Sequence, residues 1–199
     1  MALTTRITKL LGVKHPIILP GMSWISTPPL VAAVSNAGGL GILATGHLSP
    51  EETRASIEEI RRLAPGKNFG IGCTLLMPGA KENAQIALEM KVPVINISLG
   101  KGDWICEKAK EYGGKVIVTV VNEKHATSAK DFGADALMVT GHEAAAHGGD
   151  VTTLCLVNSL SQKNDLPIIA AGGIGDGRGL TAMLALGNFY YHSINRNNF

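Results

Sequence analysis

Residues 92–140 read VPVINISLGKGDWICEKAKEYGGKVIVTVVNEKHATSAKDFGADALMVT. Three short apolar, β-rich runs stand out in it: Val92–Ser98, Lys115–Val121 and Ala134–Thr140. Between them lie polar stretches with helical punctuation, and Gly113-Gly114 and Gly133 mark where those helices stop. The runs are nearly all apolar instead of alternating, as strands buried on both faces are. Strand–helix–strand alternation of this kind implies a parallel sheet.

The same unit recurs outward in both directions. Upstream are His15–Leu19, Leu40–Ala44 and Phe69–Leu75, and downstream is Pro167–Ala171. Thr27 is positioned to cap a helix that begins at Pro28 and ends at Gly38-Gly39. Ser49, followed by Pro50-Glu51-Glu52, repeats that start with acids placed for the helix dipole. Seven strands at this spacing extrapolate to eight units over about 250 residues, the size of a closed barrel. An open doubly wound sheet competes, but no GxGxxG follows the first strand. The expected fold is therefore α/β, a (β/α)8 TIM barrel, incomplete, with about seven βα units and strand eight missing. Residues 1–187 would form that domain and residues 188–199 a divergent tail.

Composition narrows the function classes. Of the 199 residues, 45% are hydrophobic and 17% charged, which suits one domain with a sizeable core and argues against disorder. A net charge of +2 is too small to point to nucleic acid or a membrane surface. Cys73, Cys106 and Cys155 form an odd, widely spaced set without CxxC, which fits a reducing compartment better than a disulfide framework. Met1 to His15 lacks the apolar stretch of a secretory signal, and no run approaches the roughly 20 residues that span a bilayer. The expected location is cytoplasmic.

In a barrel, chemistry sits at the C-terminal ends of the strands. Leu19-Pro20-Gly21-Met22 would bring bare backbone close to a flat ligand, or is an ordinary turn. Gly72-Cys73-Thr74-Leu75 offers a small polar side chain to a ligand edge, or simply ends a strand; Cys73 reads as a buried thiol. Residues 140–150, TGHEAAAHGGD, place two histidines and an acid in a loop of small residues, suited to proton transfer near neutral pH. His142, Glu143 and His147 raise the question of a metal, but nothing like HExxH is present, so none is expected. Residues 170–179, AAGGIGDGRG, lead bare N–H groups into a helix that Asp176 can cap, an anion site in the position where barrels hold phosphate.

Taken in order, TRITKLLGVKHPIILPGM, VSNAGGLGIL, ADALMVTGHEAAAHGG and PIIAAGGIGDGRGL resemble the nitronate monooxygenase (2-nitropropane dioxygenase-like) family of FMN-dependent barrels. Flavin-type enoyl-acyl-carrier-protein reductases are similar too. The resemblance runs from about Thr5 to Gly187 and implies FMN in the barrel mouth. It implies Pro20, Gly21 and Met22 against the flavin ring, and Thr74 near its polar edge, with Cys73 where the family often has Asn. Ala171, Gly172 and Gly173 would hold the phosphate. Gly141, Glu143 and Ala145 belong to the loop motif that contacts the cofactor, and Ala146 replaces a usual glycine. Thr119 stands where some members carry Lys. His147 matches the histidine proposed as base in the nitronate enzymes, so it is the expected catalytic residue.

The resemblance leaves two substrates open. One is an alkyl nitronate oxidised with O2; the other is an enoyl thioester reduced with NAD(P)H as the electron source. Val151-Thr152-Thr153 resembles the enoyl reductase subgroup. Expected partners are that small molecule and O2, with neither nucleic acid nor membrane, and a homodimer is entertained as the assembly. The tail, NFYYHSINRNNF from Asn188, departs from the family, whose strand eight and Gly-Thr-Arg-Phe phosphate loop should follow. Without that strand, strands one and seven are expected to expose unpaired edges, with Phe189–Ile194 filling part of the gap. The expected consequence is weak or absent FMN binding, and an inactive remnant is the non-enzyme alternative.

Overall fold

The seven apolar runs become seven parallel strands in the computed structural model, which describes residues 3–145 and 147–186 together with the backbone of 191–192. The chain opens with α1 (Arg6–Leu11), β1 (Ile17–Leu19), α2 (Pro28–Asn36) and β2 (Leu40–Ala44). It continues through α3 (Pro50–Leu63), β3 (Gly70–Thr74), α4 (Ala80–Glu89) and β4 (Val94–Ser98). Next come α5 (Asp103–Glu111), β5 (Lys115–Val120), α6 (Glu123–Asp131) and β6 (Ala136–Thr140). Last are α7 (Thr153–Lys163), β7 (Ile168–Ala171), α8 (Gly177–Ala185) and β8 (Tyr191–His192). The strand order is β7-β6-β5-β4-β3-β2-β1-β8.

β8 is two residues long and pairs parallel with β1, Ile17 opposite Tyr191 and Ile18 opposite His192. The edge of β1 is therefore not bare, contrary to the expectation of two open edges, because the tail supplies backbone partners there. β8 shares no ladder with β7 among the described residues, so the barrel is incomplete. The remainder of Phe189–Ile194 lies outside the described residues.

Two apolar layers follow from the strand pleat. Residues pointing inward, Ile18, Leu40, Ile42, Val94, Ile117, Met138 and Ile169 among them, pack with Ile7 and Leu11 of α1, which closes the N-terminal end. Outward residues such as Leu43, Ile71, Ile95, Val118 and Val139 pack against the helices through Val31, Ile57, Ile105 and Val157.

β4 and β6 start two residues later than the sequence predicts, and the reason is local. Val92 N–H and Ala134 N–H still bond back to Ala87 and Ala129, closing the preceding helices. Gly114 does the same at the end of α5. Gly113 (φ 81°) and Gly133 (φ 92°) take the left-handed position these turns need. After α4 that position falls to Lys91 (φ 50°), a stop the sequence did not announce. Thr27 does precede α2, but its side chain makes no capping bond. Pro28 and Pro29 have no N–H to cap, which removes the donor at the second helical position. Ser49 and Glu52 form the full capping box of α3.

One buried amide fixes a wall of the C-terminal face. Asn83 of α4 is 1% exposed. Its Nδ2 donates to the carbonyls of Thr45 (3.1 Å) and Leu48 (3.0 Å), and its Oδ1 accepts from Thr53 Oγ1 (3.0 Å). It thus ties the β2–α3 loop to α3 and α4. Asn83→Ala strands three buried polar groups, at about 1–3 kcal/mol each before relaxation. A net loss of about 3 kcal/mol is expected, seen as a melting temperature roughly 6–12 °C lower. A shift under about 2 °C would contradict this role.

Candidate functional site

The inward residues of the last strand layer form the barrel mouth. Ala44, Thr74, Ser98, Thr119, Thr140 and Ala171 are the last inward-facing residues of β2 to β7; by register Ala44 lies in the row of Gly72 and Asn96, Thr74 pairs with Ser98, Thr119 with Met138, and Thr140 with Ala171. Thr74, Thr119 and Ala171, read from sequence as cofactor residues, are thus the last inward-facing residues of β3, β5 and β7, with Ala171 one inward step beyond Ile169, which shares the row of Thr119. Pro20 is buried just past β1, and the backbone of Gly21 lies against β2, where an added Cβ would sit 3.4 Å from Ala44 Cα. Met22 follows, half-buried, with its N–H donating to Ser26 Oγ at 3.1 Å. Ser26 Oγ also donates to the Pro20 carbonyl, so this turn is tied by a buried hydroxyl that sequence reading passed over.

The mouth is lined by neutral hydroxyls. Ser98 Oγ and Thr74 Oγ1 are 3.1 Å apart, and Asn96 Nδ2 is 3.1 Å from Thr119 Oγ1. Thr45 donates to the Gly72 carbonyl (2.8 Å) and Thr140 to that of Val120 (3.3 Å). Cys73 points the other way, fully buried; burial pushes its thiol up to about 12, against a hydrogen bond with Thr45, so it is no nucleophile at neutral pH.

The β6–α7 loop folds over β7 through one side chain. Glu143 Oε2 accepts from Thr153 N–H (2.7 Å) and Thr153 Oγ1 (2.9 Å), and Thr153 Oγ1 also reaches the Ala171 carbonyl at 3.3 Å. Gly141 is buried against the same threonine: a Cβ there would lie 2.2 Å from Thr153 N. His142 N–H bonds to the Val151 carbonyl (2.9 Å), and the backbone at Gly148 presses on Gly141 O, 2.3 Å from where a Cβ would be. Ala145 and His147 are exposed on this loop, and His147 has no hydrogen bond or ion pair among the described residues. Ala146 lies outside the described residues. Thr153, buried at the start of α7, was noted in the sequence only as part of a subgroup signature.

Partial burial raises the Glu143 carboxyl, but the bonds from Thr153, with the nearby His142, hold it below the ordinary carboxylate value. A depressed folded-state value gives stability that is present above the unfolded value, near 4.5, and lost as pH falls through the folded one. Glu143→Gln should therefore destabilise by about 1 kcal/mol at pH 7, the worth of a helix cap. The difference from wild type should shrink in thermal melts as pH falls below 4.5 and vanish once pH is below the folded-state value. An equal deficit at neutral and at acid pH would mean the charge is irrelevant.

Gly172 (φ 110°) and Gly173 (φ 71°) adopt positive φ in succession after β7. Their N–H groups have no acceptor among the described residues. A Cβ on Gly172 would meet Ala144 N at 2.7 Å. The N–H groups of Arg178 and Gly179, by contrast, are satisfied by Asp176 Oδ1 (2.9 and 3.0 Å). The free backbone donors after β7 are thus fewer than the sequence suggested: those of Gly172 and Gly173, without the α8 terminus. Glu143 flanks it, but its charge is engaged by Thr153. Free backbone donors beside a layer of neutral hydroxyls and apolar Pro20 and Met22 fit a planar ligand with an anionic tail.

Exposed apolar side chains ring the same end: Trp24 (76%) and Ile25 after β1, Leu76 (76%) and Met77 after β3, Leu99 after β4, and Val151 and Leu154 around the start of α7. Among the described residues no group of His, Cys, Asp or Glu could hold a metal, and no helix is long and apolar enough to cross a membrane. Two cavities, about 320 Å³ beside α3 and about 370 Å³ at the N-terminal end, involve none of the predicted site residues.

The sequence profile of the nitronate monooxygenase family matches residues 4–189. Among curated relatives, a (3aS,4S,5R,7aS)-5-hydroxy-7a-methyl-1-oxo-octahydro-1H-indene-4-carboxyl-CoA dehydrogenase of Rhodococcus jostii is 38% identical over 185 residues, covering 93% of this chain and 52% of its own. A nitronate monooxygenase of Pseudomonas aeruginosa is 33% identical, covering 93% and 66%. Among solved structures, FabK from Thermotoga maritima superposes with a TM-score of 0.91 at 42% identity, over 96% of this chain and 61% of that one. The chain therefore spans about half to two thirds of the length of the relatives it matches.

Proposed function

The chain belongs to the nitronate monooxygenase family, and on that premise we propose that it is an FMN-dependent oxidoreductase that oxidises alkyl nitronates with O2. The observation that carries the reading is the Glu143–Thr153–Ala171 tie, which joins the histidine loop to the glycine pair after β7. In this reading bound FMN supplies the redox chemistry. Gly172 and Gly173 donate backbone N–H groups to its phosphate, while Pro20, Gly21 and Met22 back its ring. Thr74 and Thr119 offer hydroxyls to the ring's polar edge. His147 holds or takes a proton at the substrate, as a positioned general acid or base. Trp24, Leu76 and Met77 exclude water and receive the apolar part of the substrate.

A second reading, reduction of an enoyl thioester with NAD(P)H, is favoured by the 42% identity to FabK and by Val151–Thr153. The two readings share the flavin and differ in the electron donor. The first experiment is titration of FMN with the purified chain, following flavin fluorescence and the absorption bands. Saturable quenching with shifted bands supports the flavin reading, and flavin left unperturbed at high protein concentration sinks it. Nitronate-dependent O2 uptake against NAD(P)H-dependent enoyl reduction then separates the substrates.

A further inference from the structure

Most hydroxyls of the mouth have their protons committed or interchangeable. Thr45 and Thr140 donate to backbone carbonyls, and Ser98 and Thr74 can exchange donor and acceptor roles between themselves. The Asn96–Thr119 pair is different, because its polarity is fixed. Asn96, 8% exposed on β4, has one amide terminus 3.2 Å from the carbonyl oxygen of Ile117. A carbonyl only accepts, so that terminus is the NH2 group. The same nitrogen lies 3.1 Å from Thr119 Oγ1 and has no lone pair to offer, so it donates there as well. The Thr119 oxygen is therefore an acceptor on its Asn96 side, and its own proton must point elsewhere. No acceptor for that proton exists among the described residues, and Thr119 is partly exposed at the mouth.

We infer that Asn96 is a positioning residue that fixes Thr119 as a one-way hydrogen-bond donor into the barrel mouth, so that the ligand edge beside β5 presents an acceptor, a carbonyl oxygen or an unprotonated ring nitrogen. The inference rests on the flavin reading given above, and the pyrimidine edge of FMN carries such acceptors. A neutral donor held in place needs no cation, and its direction is set before the ligand arrives, which lowers the ordering cost of binding.

The test is FMN affinity, read by quenching of flavin fluorescence, in the full chain and three variants whose fold is checked by circular dichroism melts. Thr119→Val removes the donor and should weaken binding about tenfold, the worth of one hydrogen bond. Thr119→Ser keeps it and should stay within about twofold of wild type. Asn96→Asp is nearly isosteric but accepts only, so its carboxylate captures the Thr119 proton, and binding should fall as in Thr119→Val. If Asn96→Asp does not fold, the two Thr119 variants carry the test. Equal affinity in wild type and Thr119→Val, or equal loss in Thr119→Val and Thr119→Ser, overturns the inference and leaves the flavin reading standing. No FMN uptake by the wild type overturns both.

Discussion

Gly41→Ala is expected to cost about 3 kcal/mol or more, at the upper end of what overpacking does to a core. Gly41 is the second residue of β2, a strand buried at every position. It faces α2, and a Cβ would sit 2.4 Å from the Val31 carbonyl oxygen, 2.8 Å from Val31 Cα and 2.9 Å from its carbonyl carbon. All three are backbone atoms, so no side-chain rotation relieves the contact. The helix must move, and with it Val31, which is fully buried in the outer core. Gly41 N–H also bonds to Ser35 Oγ (3.3 Å), a tie between the same two elements that the shift would break. In a chain of this size the melting temperature should fall by roughly 6–12 °C. Gly175→Ala is the control, because nothing lies within 4 Å of its added methyl and its φ is not in the left-handed range. It should leave stability within about 0.5 kcal/mol. Equal melts for the two variants would mean that α2 does not press on β2 as described.

The contrast between these glycines shows which parts of the molecule a linear reading reaches. Strand and helix order came from local apolar runs, and Gly113 and Gly133 were legible as stops because the left-handed turn needs them regardless of context. Lys91 does the same work after α4 but carries no local signature. Gly41 looked like one more small residue in an apolar run, and only the approach of α2 makes it irreplaceable. The site divides in the same way. The strand-end positions of Thr74, Thr119 and Ala171 were readable once the barrel was assumed, since the pleat turns these residues inward at the C-terminal ends of β3, β5 and β7. Partners that meet across many residues of chain were not. Asn83 holds carbonyls 35 and 38 residues away, and Thr153 meets Glu143 ten residues back and Ala171 eighteen residues on. Such pairs come from the packing of neighbouring βα units, not from spacing, so an acid in a loop was visible while its latch was not.

His147→Ala is expected to lower kcat/KM by about 10²–10⁴-fold with whichever substrate proves active, the range that a positioned acid or base contributes. The case rests on how the loop is held. Glu143 is fixed by Thr153, His142 by its N–H bond to Val151, Gly148 by its approach to Gly141, and Gly149 by the backbone of Val121, 2.8 Å from where a Cβ would be. His147 sits inside this series of anchors, yet its own side chain is exposed and uncommitted among the described residues. A side chain that contributes nothing to the fold can be removed without cost to it, so the melt of His147→Ala should match wild type. FMN affinity should also hold, because the groups proposed to bind it lie elsewhere, at 20–22, 74, 119 and 171–173. His142→Ala supplies the comparison: the same ring type, exposed on the same loop, five residues earlier. It should change turnover by less than about threefold, within the small effects expected away from the reacting atoms. Loss confined to His147→Ala, with flavin still bound, would identify a group acting on substrate and not a loop disturbance. Unchanged turnover in His147→Ala would remove it from the site, and equal losses in both variants would point to the loop's charge instead of one imidazole.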